Sequence, residues 1–404
     1  MKSYAAPLYA AKIFRDSAHE FTIVEATRKQ LMKVLHLLDT LNRGGVQTLV
    51  LDVCRNARAN NLDLTFVATG GGDLEEDFRL SGAEFIRLQR SNAFDLKLIA
   101  RLRKIIKEQD IQIIHAHQAV EALHAYFATV GTDVKPVLSF HLCEMDGKNR
   151  AALKFLIPRL SANVACSHDI LNCLAAKSGF DTTKNFRVVY NGVDAKELRA
   201  ARGRLRAELS LAEKDMLLGM VGNFYPGIRK DQMTVCKALP ALFRQVPDAH
   251  FVFAGARYEA APHVYDECVD YCREQGIGNR VHFLGCRSDV PNVLHSLDIF
   301  VLSSLWEGLP LACIEAMMIG LPTVVSDIGS LLEVSGGGVC ASVFRTKDAD
   351  DLTHKLLALI KDPTRRAELG AQAQAWATRE FSIETHIRNL TKLYGELTNT
   401  PAAV

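Results

Sequence analysis

The sequence predicts an α/β protein with two doubly wound, Rossmann-like domains that face a central cleft. Its 404 residues exceed the usual size of a single hydrophobic core, so two domains are the default expectation. Short apolar runs alternate with longer amphipathic stretches, and this alternation occurs in both halves of the chain. Such a pattern is typical of parallel sheets that helices cover on both faces.

The strands of the first predicted domain are apolar runs in the first half of the chain. Asn191-Gly192 is a turn signal that ends the last of these runs, so we place the domain boundary there. Residues 1–31 are interpreted as an N-terminal extension, with Met32 as an alternative start, and 32–192 as the first domain. The strand candidates are 32–38, 62–69, 111–117, 136–141, 163–167 and 186–191.

The second predicted domain, 193–381, repeats the pattern. A charged helix at 196–209 leads into it, and amphipathic stretches such as 231–246 predict helices between its strands. A final amphipathic stretch, for which Ser382 would serve as N-cap, predicts one more helix within 382–404. The strand candidates are 217–223, 250–256, 281–285, 299–304, 322–326 and 338–340.

Composition excludes several classes of protein. A net charge of +2 argues against a general nucleic-acid binder. No apolar run is long enough to predict a transmembrane helix, and charged residues interrupt the N-terminal segment, so a signal peptide is not predicted. The ten cysteines are scattered without a Cys-x-x-Cys pair, which favours a reducing compartment. We therefore expect a cytoplasmic protein, with the inner face of the cell membrane as an alternative location.

The most informative stretch is WEGLPLACIEAMMIGLP at 306–322, in which Glu307 and Glu315 stand eight positions apart. Pro310 suits the first turn of a helix that follows a strand. The free N–H groups and the positive dipole end of that helix would form an anion site. A ligand with a central phosphate and hydroxyl groups on both sides would fit between the carboxylates. The alternative is a Glu307 favoured by the helix dipole and a buried Glu315 paired with a distant arginine.

The Glu-x7-Glu spacing, followed by GLPTVVSDIGSLLEV, resembles the signature of retaining glycosyltransferases of GT-B fold, family 4, also called group 1. The resemblance covers about residues 32–395 and implies transfer of a sugar from a nucleotide-sugar donor held mainly by the second domain. It also implies that the last helix crosses back to the first domain and that no metal or other cofactor is needed. Other segments occur in the family's order: RGGVQ, IIHAHQ, SFHLCE, ACSHDILNCLAAKSGF, VVYNGVD, GMVGNF, FVFAGA and VHFLGCRSDV.

The resemblance assigns donor-binding roles to glycines and cations. A Gly-Gly turn permits close backbone approach to a diphosphate, although such a turn is also ordinary. Adjacent Arg229 and Lys230 would neutralise the diphosphate leaving group, with a solvated cation pair as the alternative. Many relatives carry arginine where this chain has Asn223, so either Arg229 supplies the missing charge or phosphate binding is weaker. The donor-binding set is Gly44, Gly45, Gly222, Asn223, Arg229, Lys230, Gly308, Leu309, Pro310 and Glu315.

The resemblance also implies the catalytic roles. Glu307 would contact the transferred sugar, and Glu315 would hold the ribose hydroxyls. His141 matches the family's cleft histidine and would orient the sugar and the departing phosphate, with a satisfied core histidine as the alternative. Retention without a carboxylate nucleophile implies a front-face mechanism, in which the leaving phosphate assists deprotonation of the acceptor. The catalytic candidates are Glu307, His141, Arg229 and Lys230.

Two further sets of residues are ambiguous. His115 and His117 share one face of a strand, but the sequence supplies no third ligand, so no metal site is predicted. Asp327 and Glu333 would belong to a loop whose amides contact phosphate or sugar. Helix capping by Ser326 or Asp327 is an equally good local explanation.

The expected activity is retaining transfer from a UDP- or GDP-linked sugar to a glycan or lipid-linked acceptor, in bacterial surface polysaccharide synthesis. The basic amphipathic stretch at 94–109 has two readings, a helix with a solvated face or a contact with anionic lipid. Two rival functions share the fold. They are a nucleotide-sugar epimerase and a catalytically silent partner subunit.

Overall fold

The structure, a computed structural model, describes residues 31–200, 203–225, 227 and 229–398. Residues 1–30, which hold nearly all of the proposed N-terminal extension, lie outside the described residues. Within the described part the chain forms two separate parallel sheets, one of seven strands and one of six. The predicted fold class, two doubly wound α/β domains, is therefore confirmed.

The first sheet has the strand order β3-β2-β1-β4-β5-β6-β7, with all neighbours parallel. Its strands are β1 (Met32–Leu38), β2 (Leu62–Ala68), β3 (Glu84–Arg87), β4 (Ile113–Ala116), β5 (Lys135–Phe140), β6 (Ala162–Ala165) and β7 (Phe186–Val188). The helices are α1 (Gly45–Asn56), α2 (Glu75–Arg79), α3 (Leu96–Glu108), α4 (Ala119–Thr129), α5 (Gly147–Leu156) and α6 (His168–Ser178), with a short 3₁₀ helix at Arg58–Asn60.

The second sheet has the order β10-β9-β8-β11-β12-β13. Its strands are β8 (Met216–Val221), β9 (Ala249–Ala254), β10 (Val281–Phe283), β11 (Ile299–Leu302), β12 (Thr323–Ser326) and β13 (Ser342–Phe344). The helices are α7 (Ala195–Ala200), α8 (Leu205–Glu208), α9 (Gln232–Gln245), α10 (His263–Glu274), α11 (Val290–Leu294), α12 (Leu311–Met318), α13 (Gly329–Val334), α14 (Ala349–Lys361), α15 (Pro363–Phe381) and α16 (Ile383–Thr398).

Local chemistry explains where several helices begin. The Asp95 carboxylate accepts hydrogen bonds from the backbone N–H groups of Lys97 and Leu98, at 2.9 and 3.2 Å, which satisfies the first turn of α3. Asp348 caps α14 in the same way, and Pro363 opens α15, where a missing N–H costs nothing. These caps agree with the sequence pattern, so local and tertiary signals favour the same elements.

The last helix crosses back to the first domain, as the family resemblance implies. Ser382 caps α16 by accepting a hydrogen bond from the Thr385 N–H at 3.2 Å, and α16 then packs against α1. Tyr394 on this helix is fully buried against the first sheet. Within the described ranges no helix combines the length and apolar character required to cross a bilayer.

Three predictions about elements are wrong. The segment 338–340 is not a strand but part of a turn that contains three consecutive glycines in the left-handed region, and the edge strand is β13 instead. The edge strand β3 was not predicted, because its residues are mostly charged or partly exposed. The helix expected at 196–209 is divided into α7 and α8. At the break, a Cβ on Gly203 would lie 2.6 Å from the His295 carbonyl oxygen, so this position needs glycine.

The cysteines also depart from the expectation of free thiols. Cys143 and Cys173 form a disulfide that joins the loop after β5 to α6. Seven of the other eight cysteines are buried, all within the described residues, and Cys286 is exposed.

Candidate functional site

A cavity of about 680 Å³ opens at the carboxyl ends of the strands and is lined by both domains. Ligands of open α/β sheets bind at this edge, because loops and helix N-termini converge there. Every candidate donor-binding and catalytic residue lines this one cavity, although the roles of these residues stay predictions. They are Gly44, Gly45, His141, Gly222, Asn223, Arg229, Lys230, Glu307, Gly308, Leu309, Pro310 and Glu315.

Two helix N-termini meet at the cavity. Helix α1 begins at Gly45 and α12 begins at Leu311, and a Cβ on Gly45 would lie 3.8 Å from Leu311 Cδ1. Pro310 is the N-cap of α12 rather than its first helical residue. In the part of the chain that the structure describes, the backbone N–H groups of Leu311 and Ala312 donate to no backbone acceptor. The positive ends of two helix dipoles therefore favour an anion at this point.

Lys230 and Glu307 form an ion pair on the side of the cavity that the second domain lines. Lys230 Nζ lies 2.5 Å from Glu307 Oε1, and the side chains are only 14% and 15% exposed. Ser304 Oγ donates to the same carboxylate oxygen at 2.8 Å. Among the described residues, no donor bonds Glu307 Oε2, which leaves this oxygen able to accept a hydroxyl proton. Glycine at position 222 leaves room for the lysine in this position, since a Cβ there would lie 2.4 Å from Lys230 Cδ.

Arg229 faces the first domain across the cleft. Its guanidinium lies 3.5 Å from the exposed Glu144 carboxylate and stacks 5.6 Å from the centre of the Trp306 ring. Asn223, which replaces the family's arginine, accepts a hydrogen bond from the Ala256 N–H at 2.8 Å. The Asn223 side chain thus holds a neighbouring loop. Arg229 lines the same cavity and can contribute positive charge there.

Glu315 lies one helical turn inside α12 and is partly buried. Among the described residues no hydrogen-bond donor and no arginine pairs with its carboxylate, so the alternative of a distant arginine partner is not what the structure shows. Burial, together with the nearby Asp52 carboxylate, raises the pKa of Glu315 to about 7. Asp52, on α1 of the first domain, also lines the cavity and was not predicted.

Replacing Glu315 with glutamine should change stability and binding in opposite directions. The pKa of Glu315 is raised from 4.5 to about 7 on folding, so its proton stabilises the folded state at low pH and this contribution is lost as pH rises from about 4.5 to 7. Above pH 7 the wild type carries a desolvated carboxylate that Glu315→Gln lacks. We expect the variant to be more stable at pH 8 by about 2 kcal/mol, and equally stable near pH 4.

The same variant should bind a nucleotide diphosphate more weakly, because an amide holds ribose hydroxyls less well than a carboxylate does. Thermal unfolding at pH 4 and pH 8, with and without nucleotide, measures both effects. Equal stability at pH 8 together with unchanged nucleotide affinity would contradict the assigned role of Glu315.

His141 lies where the first domain contacts the loop of the second domain that carries Glu307 and Gly308. A Cβ on Gly308 would lie 2.1 Å from the His141 carbonyl oxygen, so only glycine allows the two backbones to approach this closely. Ser167 Oγ donates to the Gly308 carbonyl at 3.0 Å, and Asn191 Nδ2 donates to the Leu309 carbonyl at 3.3 Å. Burial lowers the pKa of His141 to about 4, so its imidazole is neutral at physiological pH.

Asp327 and Glu333 lie outside this cavity. The Glu333 carboxylate accepts hydrogen bonds from the backbone N–H groups of His168 and Asp169, at 2.8 and 3.1 Å, and so caps α6 of the first domain. Asp327 instead accepts a hydrogen bond from the Thr346 N–H at 2.8 Å. Neither Ser326 nor Asp327 caps α13, whose N-cap Ile328 makes no side-chain bond. The capping alternative is therefore wrong, the contact of the loop amides with phosphate or sugar stays a prediction, and Glu333 joins the domains.

The third imidazole that the sequence could not supply is His36 on β1. Ring nitrogens of His36, His115 and His117 lie within 4.8 Å of one another, and all three side chains are buried. His36 and His115 are register partners on adjacent strands, a relation that spacing along the chain does not reveal.

Comparison with known proteins decides the family. A model of the family described as glycosyl transferases group 1 matches residues 201–376, and a model described as glycosyltransferase family 4 matches residues 43–197. The two matches cover more than half of the chain; one spans β2 to β7 of the first sheet, and the other spans the whole second sheet. The protein is a group 1 glycosyltransferase.

Two similar proteins with curated names are sugar transferases as well. One is the UDP-Gal:alpha-D-GlcNAc-diphosphoundecaprenol alpha-1,3-galactosyltransferase of Escherichia coli, 28% identical over 58% of this chain and 62% of that protein. The chain thus matches less than two thirds of this relative's length. Another is the GDP-mannose-dependent monoacylated alpha-(1-6)-phosphatidylinositol monomannoside mannosyltransferase of Corynebacterium glutamicum, 25% identical over 87% of this chain and 94% of that protein.

Solved structures confirm the GT-B fold of this glycosyltransferase. A glycosyltransferase from Rickettsia africae has a TM-score of 0.81 at 16% identity, covering 92% of this chain and 100% of that one. Anabaena HepE in complex with UDP and glucose has a TM-score of 0.75 at 20% identity, covering 90% of this chain and 99% of that one. At these identities the likeness establishes the fold alone.

Proposed function

We propose that this glycosyltransferase moves a sugar, with retention of anomeric configuration, from a UDP- or GDP-linked donor to a glycan or lipid-linked acceptor during bacterial surface polysaccharide assembly. The observation that carries the proposal is the convergence of two helix N-termini, two cations and two carboxylates on one cavity. The names of the relatives support it: one uses a UDP-sugar and a diphosphoundecaprenol-linked acceptor, and another depends on GDP-mannose.

The donor diphosphate would dock between the N-termini of α1 and α12. Arg229 and Lys230 would neutralise the charge that develops on this group as the glycosidic bond breaks, which makes a metal ion unnecessary for that step. Glu307 Oε2 would accept a hydroxyl of the transferred sugar, while Lys230 holds the other oxygen of the same carboxylate in place. Glu315 would bond the ribose hydroxyls. The family resemblance implies a front-face mechanism, in which the leaving phosphate would take the acceptor's proton on the same face.

The acceptor would approach along the first domain. Four apolar side chains are exposed near the basic helix α3: Phe94 (46%), Leu96 (70%), Val130 (50%) and Phe155 (37%). Arg103 of α3 donates to the backbone carbonyls of Ala128 and Val130, which fixes part of this surface. Exposed apolar side chains beside lysines and arginines suit an anionic lipid surface, so we place the enzyme at the inner face of the membrane that carries its acceptor.

The decisive experiment compares nucleotide diphosphates with monophosphates. Binding at 100 times Kd should stabilise the protein by about 2.7 kcal/mol. We expect UDP or GDP to raise the melting temperature more than UMP or GMP does, because only the diphosphate reaches both helix N-termini. Equal shifts for the mono- and diphosphates would refute the docking geometry.

Turnover of the bound donor then separates the rival functions. A transferase slowly releases free sugar and nucleotide diphosphate from its donor, whereas an epimerase interconverts nucleotide-sugars. A silent subunit does neither. Release of the α-anomer first from an α-linked donor, followed by NMR, would support retention, and release of the β-anomer would exclude it.

A further inference from the structure

Six buried or partly buried side chains of the first domain and the C-terminal helix form one continuous row. Each lies within hydrogen-bonding distance of the next, and the row ends at the donor cavity. In order, they are Ser139, His115, Tyr394, His36, His117 and His141.

Strand register places these side chains on one face of the first sheet. His36 on β1 pairs in register with His115 on β4, and successive side chains of a strand alternate between faces. His115 and His117 therefore share a face, as do Ser139 and His141 at and just beyond the end of β5. The neighbours of His36 on its strand, such as Leu35, instead pack in the apolar cluster with α3 and α4 on the opposite face.

The half of the row nearer the cavity consists of imidazoles alone. His141 Nε2 lies 3.1 Å from His117 Nδ1, and His117 Nε2 lies 3.1 Å from His36 Nδ1. The His117 and His141 rings are stacked at 5.3 Å between centroids. Both ring nitrogens of His117 and the Nδ1 of His36 thus have partners within the row.

Tyr394 from α16 continues the row. Its hydroxyl lies 3.2 Å from His36 Nε2 and 2.5 Å from His115 Nδ1, and His115 Nε2 lies 2.8 Å from Ser139 Oγ. Tyr394, His36 and His115 are all fully buried. The C-terminal helix therefore joins two strands of the first sheet through a single hydroxyl group.

The imidazoles of the row are neutral. Burial lowers the pKa of His36 to about 3 and that of His141 to about 4, and it lowers the pKa values of His115 and His117 well below the ordinary value. Burial also raises the pKa of Tyr394 well above its ordinary value, so its O–H stays protonated. Each member thus brings one mobile proton to the row.

Proton counting leaves the row two arrangements. Five contacts link the six groups, and each contact needs one proton. If His141 donates from Nε2, every imidazole of the row must carry its proton on Nε2. If Ser139 donates to His115, every imidazole must carry its proton on Nδ1. A mixture would leave one contact with two protons or with none.

The ends of the row show how a ligand would select between them. Within the described residues, His141 Nδ1 is buried and has no hydrogen-bond partner, and Ser139 Oγ has none besides His115. An acceptor oxygen placed against His141 Nδ1 would satisfy the arrangement in which every imidazole is protonated on Nδ1. His141 lines the donor cavity, so the donor substrate is the ligand placed to supply that oxygen.

We propose that His117, His36, Tyr394 and His115 are positioning residues that couple the tautomer of His141 to those of the other three imidazoles, and that the C-terminal helix thereby forms part of the donor site. The part of the inference that names the donor as ligand rests on the proposed function, whereas the shared tautomer does not. Without the row, the His141 ring would be free to present either a donor or an acceptor to the sugar. With it, a change of tautomer at His141 requires the same change at His117, His36 and His115.

The first test is the tautomeric state of the wild-type protein, read from the ¹⁵N chemical shifts of the histidine rings without ligand. We expect His36, His115, His117 and His141 to share one tautomer. Different tautomers within this set, or a charged imidazole at pH 7, would overturn the proposal. Purified protein that retains one zinc ion per chain on His36, His115 and His117 would overturn it as well. This measurement needs no variant.

The second test uses Tyr394→Phe, with Thr391→Val as the matched control. Thr391 lies on the same helix, and its hydroxyl donates to the Ile387 carbonyl, outside the row. We expect Tyr394→Phe to slow donor turnover about tenfold, the effect typical of losing a supporting hydrogen bond, while the Kd for nucleotide diphosphate stays within twofold. The control should change neither. Unchanged turnover and an unchanged His141 tautomer in folded Tyr394→Phe would contradict the proposal.

These two tests separate this inference from the proposed function. If the histidines share one tautomer but the protein turns over no nucleotide-sugar, the coupling of the tautomers stands and the proposed transferase function fails. If turnover is normal but the histidines have different tautomers, the proposed function stands and the coupling of the tautomers fails.

Discussion

Replacing Lys230 with methionine should lower donor turnover by about 10²- to 10³-fold, the usual loss when one group that stabilises developing charge is removed. Lys230 is expected to act on the leaving diphosphate, so kcat should fall more than the affinity for substrate. The lysine also holds Glu307 through a short and largely buried contact. Methionine keeps most of the side-chain volume, so the packing against Gly222 is preserved.

Stability separates the two roles of Lys230. Methionine leaves the Glu307 carboxylate without its cation. The free energy of unfolding should fall by about 2 kcal/mol, because an unpaired and mostly buried charge remains. The double variant Lys230→Met/Glu307→Gln removes that charge and should regain most of the stability, yet it should stay inactive. Thermal unfolding and donor hydrolysis, measured on the single and the double variant, provide both quantities.

Lys214→Met is the matched control for this prediction. Lys214 pairs with Asp248 at 3.0 Å, but the lysine side chain is 71% exposed, so its loss should leave stability and turnover nearly unchanged. Turnover of Lys230→Met within fivefold of the wild type would contradict the leaving-group role. A double variant as active as the wild type would contradict both assignments.

Replacing Gly308 with alanine should disable the enzyme through geometry alone. The new Cβ would lie 2.1 Å from the His141 carbonyl oxygen, a distance that neither backbone can tolerate. The loop that carries Glu307 must then move away from the first domain, and the hydrogen bond from Ser167 Oγ to the Gly308 carbonyl is lost with it. A displacement of about 1 Å in a positioned group can cost about 10²-fold in rate.

We therefore expect Gly308→Ala to lose at least that factor in turnover and to unfold at a lower temperature. Gly147→Ala is the matched control, because a Cβ at the exposed start of α5 would contact nothing within 4 Å. Donor hydrolysis and thermal unfolding of the two variants test the prediction. Wild-type turnover in Gly308→Ala would show that the close contact between the domains is not needed.

Much of the fold is predictable from the sequence because local and tertiary signals agree. Strands such as β8 and β11 are continuous apolar runs that the sheet buries on both faces, and helices such as α14 begin at a capping residue. The failures occur where these signals are weak. Gly336, Gly337 and Gly338 have positive φ, which places the segment 338–340 in a turn instead of a strand. The edge strand β3 has no apolar pattern that would predict it.

The site is less predictable than the fold. Motif positions such as Glu307 and Glu315 can be located because their spacing is regular, and the structure places them on one cavity. Asp52, His36 and Tyr394 carry no such signal. They approach the site through contacts between distant segments, and the hydroxyl of Tyr394 reaches His36 across 358 positions of the chain. The capping of α6 by Glu333 was not predicted for the same reason, because its partners lie in the other domain.

A crystal structure of the protein with UDP, or with GDP if that nucleotide gives the larger thermal shift, tests the central claim most directly. The claim predicts density for the diphosphate between the starts of α1 and α12, within reach of Arg229 and Lys230, with the ribose hydroxyls on Glu315. A nucleotide bound elsewhere, or a diphosphate that contacts neither helix start, would contradict it.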